Sequence, residues 1–593
     1  MPAARNDEED SQYPAPSSGE CEVGGDRLRR TLNSALSRRE VLAGAGGAGL
    51  LAAAAPVIRR GVAPLGAART AAASDGTPEQ LHLTWGDNPS ASVSVSWASP
   101  GKATGARVLL DTGSGTRTVA ATQRTYTDGL NGEKVWTYHA TLTGLSPATE
   151  YKYSVTADND ASKGTPLSGS FTTAPSGRGA FRFTSFGDLA TPNTQWVLSY
   201  GQAAYAVAAV ESFQPLFHLL NGDLCYADLN PSTQPEVWAD FGNNNETSAA
   251  NRPWMPCLGN HEIEFDCGPQ GYASYLTRYQ LPSNREQGFY GRWYSFQVGS
   301  ALFISLDAND VVYQDAGPFV SGPDPLDPAA GTGNPPIQPG TSFYVNGYSG
   351  GAQTAWLEKT LKAARASTDI DWIIVQMHQC IASSSLGNGS DWGIRAKWAP
   401  LFDTYQVDIV VNGHDHDYER SFPTRGFDSN VGTEVATGKP VQTNRPHPVT
   451  TTDAGEFDTS KGTVHLVLGG GGTDDDTDDY GTDTTTGLPQ AKVFTFRNAP
   501  EASTTPGEYF RPAADAVEDA SWSARRDTAT GYGIGVFDVD PGSTPGGRTT
   551  ITYTYYQAKN ADPTNPASGK AGAPNPKYTK YETVKFYRSR SDG

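Results

Sequence analysis

Five short apolar runs, each followed by a polar cluster, limit the folds that this chain can adopt. The runs occupy residues 181–186, 215–220, 254–258, 372–377 and 407–411. Stretches with a helical pattern, such as 194–213 and 352–365, lie between several of the runs. Apolar strands that alternate with helices indicate a buried, largely parallel sheet, and such sheets bind ligands beyond the carboxyl ends of their strands. The sequence therefore predicts an α/β domain whose functional site lies where the runs stop.

The polar clusters contain the residue types that bind metal ions. In chain order these residues are Asp188, Asp223 with Tyr226, Asn260 with His261, His378, and His414 with His416. Each of them alone is a modest signal, because aspartate after glycine is common in turns and a lone His-x-His motif arises by chance. All five runs, however, end in a possible metal ligand. We therefore interpret the set as a metal site rather than as five ordinary loops.

The region before these runs has a different pattern. Between residues 80 and 173, short alternating segments are separated by turn residues, which predicts a small antiparallel β-sandwich. The segments are residues 92–97, 107–110, 137–142 and 151–155. Trp97 is the expected inter-sheet core residue, and His82 and His139 are expected to be ordinary half-buried histidines. Residues 142–151 resemble the strand-loop-strand signature of fibronectin type III domains, and 174–179 read as a linker.

The composition predicts long loops. The 65 glycines and 41 prolines make up about 18% of the 593 residues, against about 12% in average proteins. The segments near 313–350, 420–460 and 471–530 are rich in Gly, Pro, Thr and Asp, and we expect them to be surface insertions. The run 469–479 matches neither a P-loop nor an EF-hand, so a solvated acidic insertion is the favoured interpretation.

The first 73 residues resemble a twin-arginine export signal. Arg38 and Arg39 directly precede an apolar run, 41–58, that is rich in Ala and Gly. The alternative is a transmembrane anchor, but the run is weakly hydrophobic. We expect cleavage near residues 71–73, no stable membrane span afterwards, and a secreted protein that is extracellular or associated with the cell wall.

Four cysteines follow the expected cleavage point: Cys225, Cys257, Cys267 and Cys380. Outside the cell they can form two disulfides in three connectivities. Cys257 and Cys267 close a short loop and are the favoured pair, and free buried thiols are the alternative. None of the four has the local context of a catalytic nucleophile.

The net charge restricts the partners. With 45 Lys and Arg against 64 Asp and Glu the chain carries −19, and loss of residues 1–73, with nine Arg and eight acids, takes this to −20. Such a charge repels nucleic-acid polymers and anionic membrane surfaces. An anionic substrate must therefore meet local positive charge.

Three motifs resemble those of the purple acid phosphatases, within the calcineurin-like metallophosphoesterase superfamily. They are Gly222-Asp-Leu-Cys-Tyr226, Gly259-Asn-His-Glu262 and Gly413-His-Asp-His-Asp-Tyr-Glu-Arg420. The resemblance covers about residues 80–593 and points to the bacterial secreted type. It implies a fibronectin type III-like domain at 74–175 and a catalytic domain at 178–593 with the three insertions. The expected fold class is α/β, an all-β sandwich followed by a four-layer α/β/β/α metallophosphoesterase domain.

The resemblance also implies a dinuclear metal centre. Asp223 would bridge the two metals, with Asp188, Tyr226 and His416 on one metal and Asn260, His378 and His414 on the other. A phenolate ligand needs a strong Lewis acid, so Fe(III) suits the first position. Zn(II), Mn(II) or Fe(II) would suit the second, because imidazole and amide ligands do not distinguish them.

The implied activity is that of a secreted acid phosphatase acting on small phosphate monoesters through attack by metal-bound hydroxide. His261 would hydrogen-bond the phosphoryl oxygen or protonate the leaving group, and Glu262 ranks lower for such a role. Two alternatives stay open: a phosphodiesterase or nucleotidase with the same centre, and a non-catalytic surface binding protein. The presence of all seven expected ligand residues argues against the latter.

The chain departs from plant-type relatives at two places. Their further histidines, about nine or ten residues after His378, are replaced by Gly387 and Asn388, so leaving-group protonation and substrate preference are open. Asn388, Asp391 and Arg395 are candidates to line that side, and a plain surface loop is the alternative. Ala190 replaces the glycine that commonly follows the first aspartate, which leaves the turn geometry open.

Overall fold

The computed structural model describes residues 75–162, 166–198, 201–264, 267, 271–314, 347–429, 431–496, 501–502, 509–510, 513–559 and 578–593. The expected export segment lies outside the described residues. Within them, no helix is both long enough and apolar enough to cross a membrane.

The N-terminal region is a sandwich of two four-stranded antiparallel sheets. One sheet contains, in spatial order, Glu79–Thr84, Val93–Ser99, Lys134–Leu142 and Thr122–Thr127. The other contains Thr116–Ala120, Arg107–Asp111, Glu150–Thr156 and Leu167–Thr172. Trp97 is buried between the sheets and its ring lies 5.8 Å from that of Tyr138. The alternating segments of the sequence are thus strands of an all-β domain, with Trp97 in its core.

Two seven-stranded sheets form the centre of the second domain. The first central sheet has the order Trp254–Pro256, Phe217–Leu220, Phe181–Phe186, Gly533–Asp540, Arg548–Gln557, Thr579–Ser589 and Glu456–Asp458. The second central sheet has the order Tyr294–Val298, Ala301–Ser305, Trp372–Gln376, Ile409–Asn412, Val464–Leu468, Tyr418–Ser421 and Ser523–Arg526. Each apolar run of the sequence corresponds to one of these strands.

Both central sheets are mixed rather than largely parallel. The strands built from the apolar runs pair in parallel, 254–256 with 217–220 and 372–376 with 409–412. The C-terminal strands instead join the first sheet in antiparallel pairs. Buried and half-exposed residues alternate along Arg548–Gln557, the pattern of an antiparallel strand with one solvated face. The apolar runs alone therefore overstated the parallel content.

The two central sheets pack face to face through aromatic rings. Phe183 and Phe217 of the first sheet lie 5.1 and 5.0 Å from Phe303 of the second, in edge-to-face geometry that aromatic pairs prefer. On the opposite face of the second sheet, Ile373 and Val375 pack with Leu357 and other residues of a helix. Among the described residues the α-helices are Gln202–Phe213, Gln234–Ala249, Ala273–Arg278, Ala352–Ala366, Trp392–Lys397 and Ala399–Thr404. Two facing sheets with helices outside them are the layers expected from the sequence.

Parts of the expected insertions form a third, five-stranded sheet. Its strands are Ser390–Asp391, Gln490–Phe496, Ala513–Asp519, Gly432–Glu434 and Pro440–Val441. Other parts belong to the body of the domain: Ser523–Arg526 is an edge strand of the second central sheet, and residues 469–473 are buried. The expectation that the acidic segment 469–479 is solvated is wrong for residues 469–473. Most of 313–350 lies outside the described residues.

The favoured disulfide is also absent from the described structure. Buried thiols that form no disulfide, the alternative left open by the sequence, are found at Cys225, Cys257, Cys267 and Cys380. The Sγ atom of Cys267 lies 3.9 Å from an oxygen of Asp128 in the sandwich, so it is engaged there. Closeness in sequence does not orient two Cβ atoms for a bond, which needs specific geometry.

Candidate metal centre

The carboxyl ends of the strands bring the candidate ligands to one edge of the two central sheets. Asp188, Asp223 and Asn260 follow strands of the first sheet, and His378 and His414 follow strands of the second. Left-handed backbone conformations occur at four candidate ligands, with φ of 59° at Asp188, 49° at Asp223, 59° at Tyr226 and 73° at His414. Such conformations are uncommon for residues with a Cβ and cluster at functional sites.

Three glycines make the close approach of these loops possible. A Cβ at Gly259 would lie 2.1 Å from Asp223 Oδ1, and one at Gly413 would lie 2.4 Å from Asp188 Oδ2. A Cβ at Gly222 would lie 2.6 Å from His378 Nδ1. Because real Cβ atoms do not approach so closely, each glycine is required by the ligand beside it.

One group of ligands is rich in nitrogen. Ligand atoms of Asp223, His378 and His414 lie within 4.8 Å of one another, and all three residues are buried. His378 Nε2 is 2.9 Å from Asp223 Oδ2. Asn260 Oδ1 and His414 Nδ1 are buried without a hydrogen-bond partner in the described part of the chain. Buried polar atoms are rarely left unsatisfied, so this donor set fits a cation.

The second group contains the tyrosine. Tyr226 Oη lies 3.1 Å from Asp188 Oδ1 and 3.1 Å from His416 Nε2, and His416 Nε2 is 3.3 Å from Asp188 Oδ1. Burial and the neighbouring carboxylates raise the pKa of Tyr226 well above its ordinary value. Ionisation of this phenol therefore requires a cation beside it. The carboxylate, phenol and imidazole form a donor set that fits a hard metal ion.

A partner outside the centre holds each ligand imidazole. His378 Nδ1 lies 2.7 Å from the carbonyl oxygen of Asn221, and His416 Nδ1 bonds the carboxylate of Asp474. His414 Nε2 lies 2.8 Å from Gln314 Oε1. In each ring the other nitrogen faces the centre, which is the arrangement that fixes tautomer and orientation in metal sites. Sequence reasoning missed these partners, because nothing local to them signals the contact.

The carboxylates of Asp188 and Asp223 stabilise positive charge on the histidine beside them. Burial lowers the pKa of His378, but Asp223 and Asp188 outweigh burial and raise it to about 9. Burial works against the charged form of Asp223, yet His378 and His261 hold its pKa below its ordinary value. The anionic charge collected at this edge is the kind that bound cations compensate.

His261 stands beside the ligands. Its Nδ1 is 2.9 Å from a carboxylate oxygen of Asp228, and its Nε2 is 3.9 Å from Asp223 Oδ2. The ring lies 4.5 Å from that of Tyr226, and 23% of the side chain is exposed. His261 is thus accessible from solvent while one nitrogen is held, as a proton donor to a substrate must be. Asp228, two residues after Tyr226, was missed from sequence.

Glu262 has a supporting role. Its carboxylate accepts the backbone N–H groups of Asp223 at 2.9 Å, Leu224 at 2.8 Å and Gly259 at 2.7 Å. The buried side chain therefore joins the two loops that carry Asp223 and Asn260.

The loop after His378 is packed rather than open. Asn388 Nδ2 donates to His414 O at 2.6 Å, and the Asp391 carboxylate accepts backbone N–H groups of Tyr313 and Gln314. Arg395 is buried in an ion pair with Glu518 at 2.9 Å, so it does not line the centre. Asn388 and Asp391 support the centre through the backbone.

The backbone at Ala190 shows the turn geometry that the sequence left open. Ala190 is buried with φ of 59°, so the turn keeps the left-handed conformation without a glycine.

The glycine run before Thr473 lies against the loop that carries Asp188. Gly471 N donates to Gly187 O at 3.0 Å, and Gly472 N donates to Asp188 O at 2.9 Å. A Cβ at Gly471 would be 2.2 Å from Gly187 O. The run therefore packs against the backbone of Asp188.

Comparisons with known proteins match both domains. Residues 78–173 match the model for the purple acid phosphatase N-terminal domain, and residues 181–418 match the calcineurin-like phosphoesterase model. An uncharacterised protein of Mycobacterium tuberculosis is 41% identical over 490 residues, which are 80% of this chain and 83% of its own.

More distant relatives carry functional names. The Fe(3+)-Zn(2+) purple acid phosphatase 12 of Arabidopsis thaliana is 27% identical over 353 residues, 58% of this chain and 65% of its own. The solved structure of a purple acid phosphatase from yellow lupin is similar in fold, with a TM-score of 0.55 at 18% identity over 87% of this chain and 75% of that one. The family models, the named relatives and the fold agree with one another, and the chain belongs to the purple acid phosphatase family of acid phosphatases.

Proposed function

We propose that this acid phosphatase is exported and hydrolyses small phosphate monoesters, with Fe(III) in the tyrosine-containing position. Zn(II), Mn(II) or Fe(II) occupies the nitrogen-rich position. The observation that carries the proposal is the convergence of Tyr226, Asp188 and His416 within 3.3 Å of one another. Asp223, whose Oδ2 lies 2.9 Å from His378 Nε2, would be the carboxylate shared by the two positions. The relative named Fe(3+)-Zn(2+) purple acid phosphatase supports the same pair of metals.

The bound metals supply a nucleophile at working pH and positive charge for the phosphoryl oxygens. Asp228 holds Nδ1 of His261, and Nε2 lies toward the metal centre, 3.9 Å from Asp223 Oδ2. His261 hydrogen-bonds the phosphoryl oxygen or delivers a proton to the leaving group. A monoester dianion is favoured over a singly charged diester because it matches two cations more closely.

The experiment that tests the metal assignment combines elemental analysis with an absorption spectrum of purified protein. We expect iron and a second metal, and a phenolate-to-iron band that gives a purple or pink colour. Tyr226→Phe removes the phenol oxygen and is expected to abolish the band. Tyr294→Phe is the matched control, because Tyr294 is equally buried but donates to the carbonyl of Pro256 at 2.6 Å. An iron-replete protein without the band, or a band that survives Tyr226→Phe, contradicts the assignment.

Substrate class and export need separate assays. A nitrophenyl monoester is expected to be hydrolysed faster than the corresponding bis-ester, and the reverse ranking favours the phosphodiesterase alternative. For export, the substitutions Arg38→Lys and Arg39→Lys together are expected to retain the enzyme inside the cell. Unchanged activity outside the cell contradicts the twin-arginine route.

A further inference from the structure

His414 is held by a side-chain amide. Its Nε2 lies 2.8 Å from Gln314 Oε1, and both side chains are buried. An amide oxygen can only accept a hydrogen bond, so this contact requires a hydrogen on Nε2 and leaves a lone pair on Nδ1. Nδ1 is the buried atom without a partner among the described residues, and it belongs to the nitrogen-rich group. The contact therefore selects the tautomer of His414 that can bind a metal through Nδ1.

Gln314 is itself fixed by its backbone. The N–H groups of Gln314 and Tyr313 donate to Asp391 Oδ2 at 2.8 and 2.9 Å. The same carboxylate accepts Gly393 N at 2.7 Å and caps the helix Trp392–Lys397. The ring of Tyr313 stacks on that of Trp392 at 5.6 Å. These contacts place the glutamine without help from His414, so its position is not merely a result of that hydrogen bond.

The three ligand imidazoles differ in what holds them. His378 bonds a backbone carbonyl, which no substitution removes, and His416 bonds Asp474, whose side chain is 53% exposed. His414 alone of the three depends on a buried, uncharged side chain. Substitution of Gln314 therefore removes the partner that fixes the tautomer of His414 and removes no charge, whereas substitution of Asp474 beside His416 removes one.

We infer that Gln314 is a positioning residue for the nitrogen-rich metal position, acting by holding His414 with Nδ1 toward the metal. The inference rests on the proposed function, in which that position holds a divalent ion. Without the acceptor, the Nε2–H tautomer loses its stabilisation, and the ring can rotate or shift its proton to Nδ1. Loss of such outer partners typically weakens metal binding 10- to 100-fold.

The test uses Zn²⁺ titrated, in competition with a chelator, into iron-loaded full-length protein from which divalent metal has been stripped. Gln314→Met keeps the length of the side chain but removes the acceptor, and we expect Zn²⁺ affinity to fall about 10- to 100-fold. Gln314→Glu keeps an acceptor oxygen and is expected to stay within about threefold of the parent protein. Gln202→Met is the matched control, because Gln202 is a buried glutamine that donates to Ala558 O at 2.7 Å.

The outcomes separate this inference from the proposed function. Parent-like Zn²⁺ affinity in Gln314→Met overturns the inference, as does a loss in Gln314→Glu equal to that in Gln314→Met. The iron content and the phenolate band are expected to persist in all three variants, since Tyr226 belongs to the other position. If the parent protein takes up iron but no Zn²⁺, the proposed metal pair fails together with the inference.

Discussion

At the scale of single residues, the histidine proposed to donate a proton is oriented by one carboxylate. His261 contributes no atom to the metal-ligand group of Asp223, His378 and His414, and its Nδ1 is bound by both oxygens of Asp228 at 3.0 and 2.9 Å. A carboxylate in this position fixes the tautomer and stabilises the protonated ring. The pair should therefore act as one unit in the reaction.

We predict that His261→Ala lowers kcat for a phosphate monoester by roughly 100-fold, the size of a lost acid or base. Asp228→Asn should lower kcat about 10-fold, because the ring keeps a neighbour but loses the charge that orients it. The double variant should be no worse than His261→Ala alone.

Steady-state kinetics with elemental analysis of each variant checks the prediction, since metal content should not change. If the fold decrease in kcat of the double variant equals the product of the two single decreases, Asp228 acts on something other than His261.

That the candidate metal ligands lie together could be predicted from sequence, because chemistry restricts such ligands to a few residue types at the ends of strands. Tyr226 and the paired histidines His414 and His416 are examples. Asp228, Gln314 and Asp474 could not be predicted in this way. Each of them is defined by one contact, and Gln314 is 100 residues from the histidine that it holds. Aspartate and glutamine in loops are too common to single out without the fold.

At the scale of elements, Asp408 ties a ligand-bearing strand to its surroundings. It directly precedes Ile409–Asn412 and accepts hydrogen bonds from Ile373 N at 2.8 Å and Thr459 Oγ1 at 2.6 Å. Its carboxylate also pairs with Arg588 at 2.6 Å and with Arg365. One buried carboxylate thereby joins both central sheets and the helix Ala352–Ala366.

We predict that Asp408→Asn lowers the free energy of unfolding by about 3 kcal/mol, because it leaves two half-buried guanidinium groups without this anion. Burial alone would raise the pKa of Asp408, but Arg365 and Arg588 outweigh burial and hold it below its ordinary value. The stabilisation is therefore present above the unfolded pKa of about 3.9 and is lost as pH falls through the lower folded pKa.

Denaturant unfolding of the parent and variant at neutral pH, and again below pH 3, measures this difference. The difference in the free energy of unfolding between parent and variant should be smaller below pH 3 than at neutral pH. A gap that stays constant would assign the loss to packing rather than to the charge.

Hydrophobic patterning predicted which segments form strands and helices, but it did not predict which loops pack against the metal centre. Residues 469–472 are glycines followed by acidic residues, a composition typical of a solvated loop. In the structure their missing side chains let the backbone pack against Gly187 and Leu189, since a Cβ at Gly472 would lie 2.3 Å from Leu189 O. Composition reports how polar a segment is, but not how closely another chain segment approaches it.

At the scale of the whole molecule, the sandwich and the catalytic domain share a hydrogen-bonded interface. Tyr153 Oη donates to Ala250 O at 2.9 Å, and Leu81 N donates to Glu246 at 3.0 Å. Thr137 and His139 both contact Thr277 O at 2.9 Å. These contacts are buried or half-buried, so the sandwich covers part of the catalytic domain. The two domains should unfold as a coupled unit.

We predict that Gly169→Val lowers the melting temperature of the whole chain, at a cost of about 1–3 kcal/mol for overpacking. A Cβ at Gly169 would lie 2.0 Å from Ala250 O across the interface. Gly115→Val is the matched control in the same domain, because nothing lies within 4 Å of a Cβ there.

Differential scanning calorimetry and kcat of the folded protein check the prediction. The melting temperature should fall only in Gly169→Val, while kcat stays unchanged in both variants. Equal shifts in the two variants would show that the interface does not couple the domains.

The three glycines against the ligands have an evolutionary consequence. Gly222, Gly259 and Gly413 leave no space for even a methyl group, so the inner loops cannot vary without disturbing the centre. We therefore expect adaptation to a new ester to act through segments that contact neither the ligands nor the residues that hold them. In enzymes that inherit the same centre, we expect glycine at these three positions and substrate preference that varies with the segments farther from the metals.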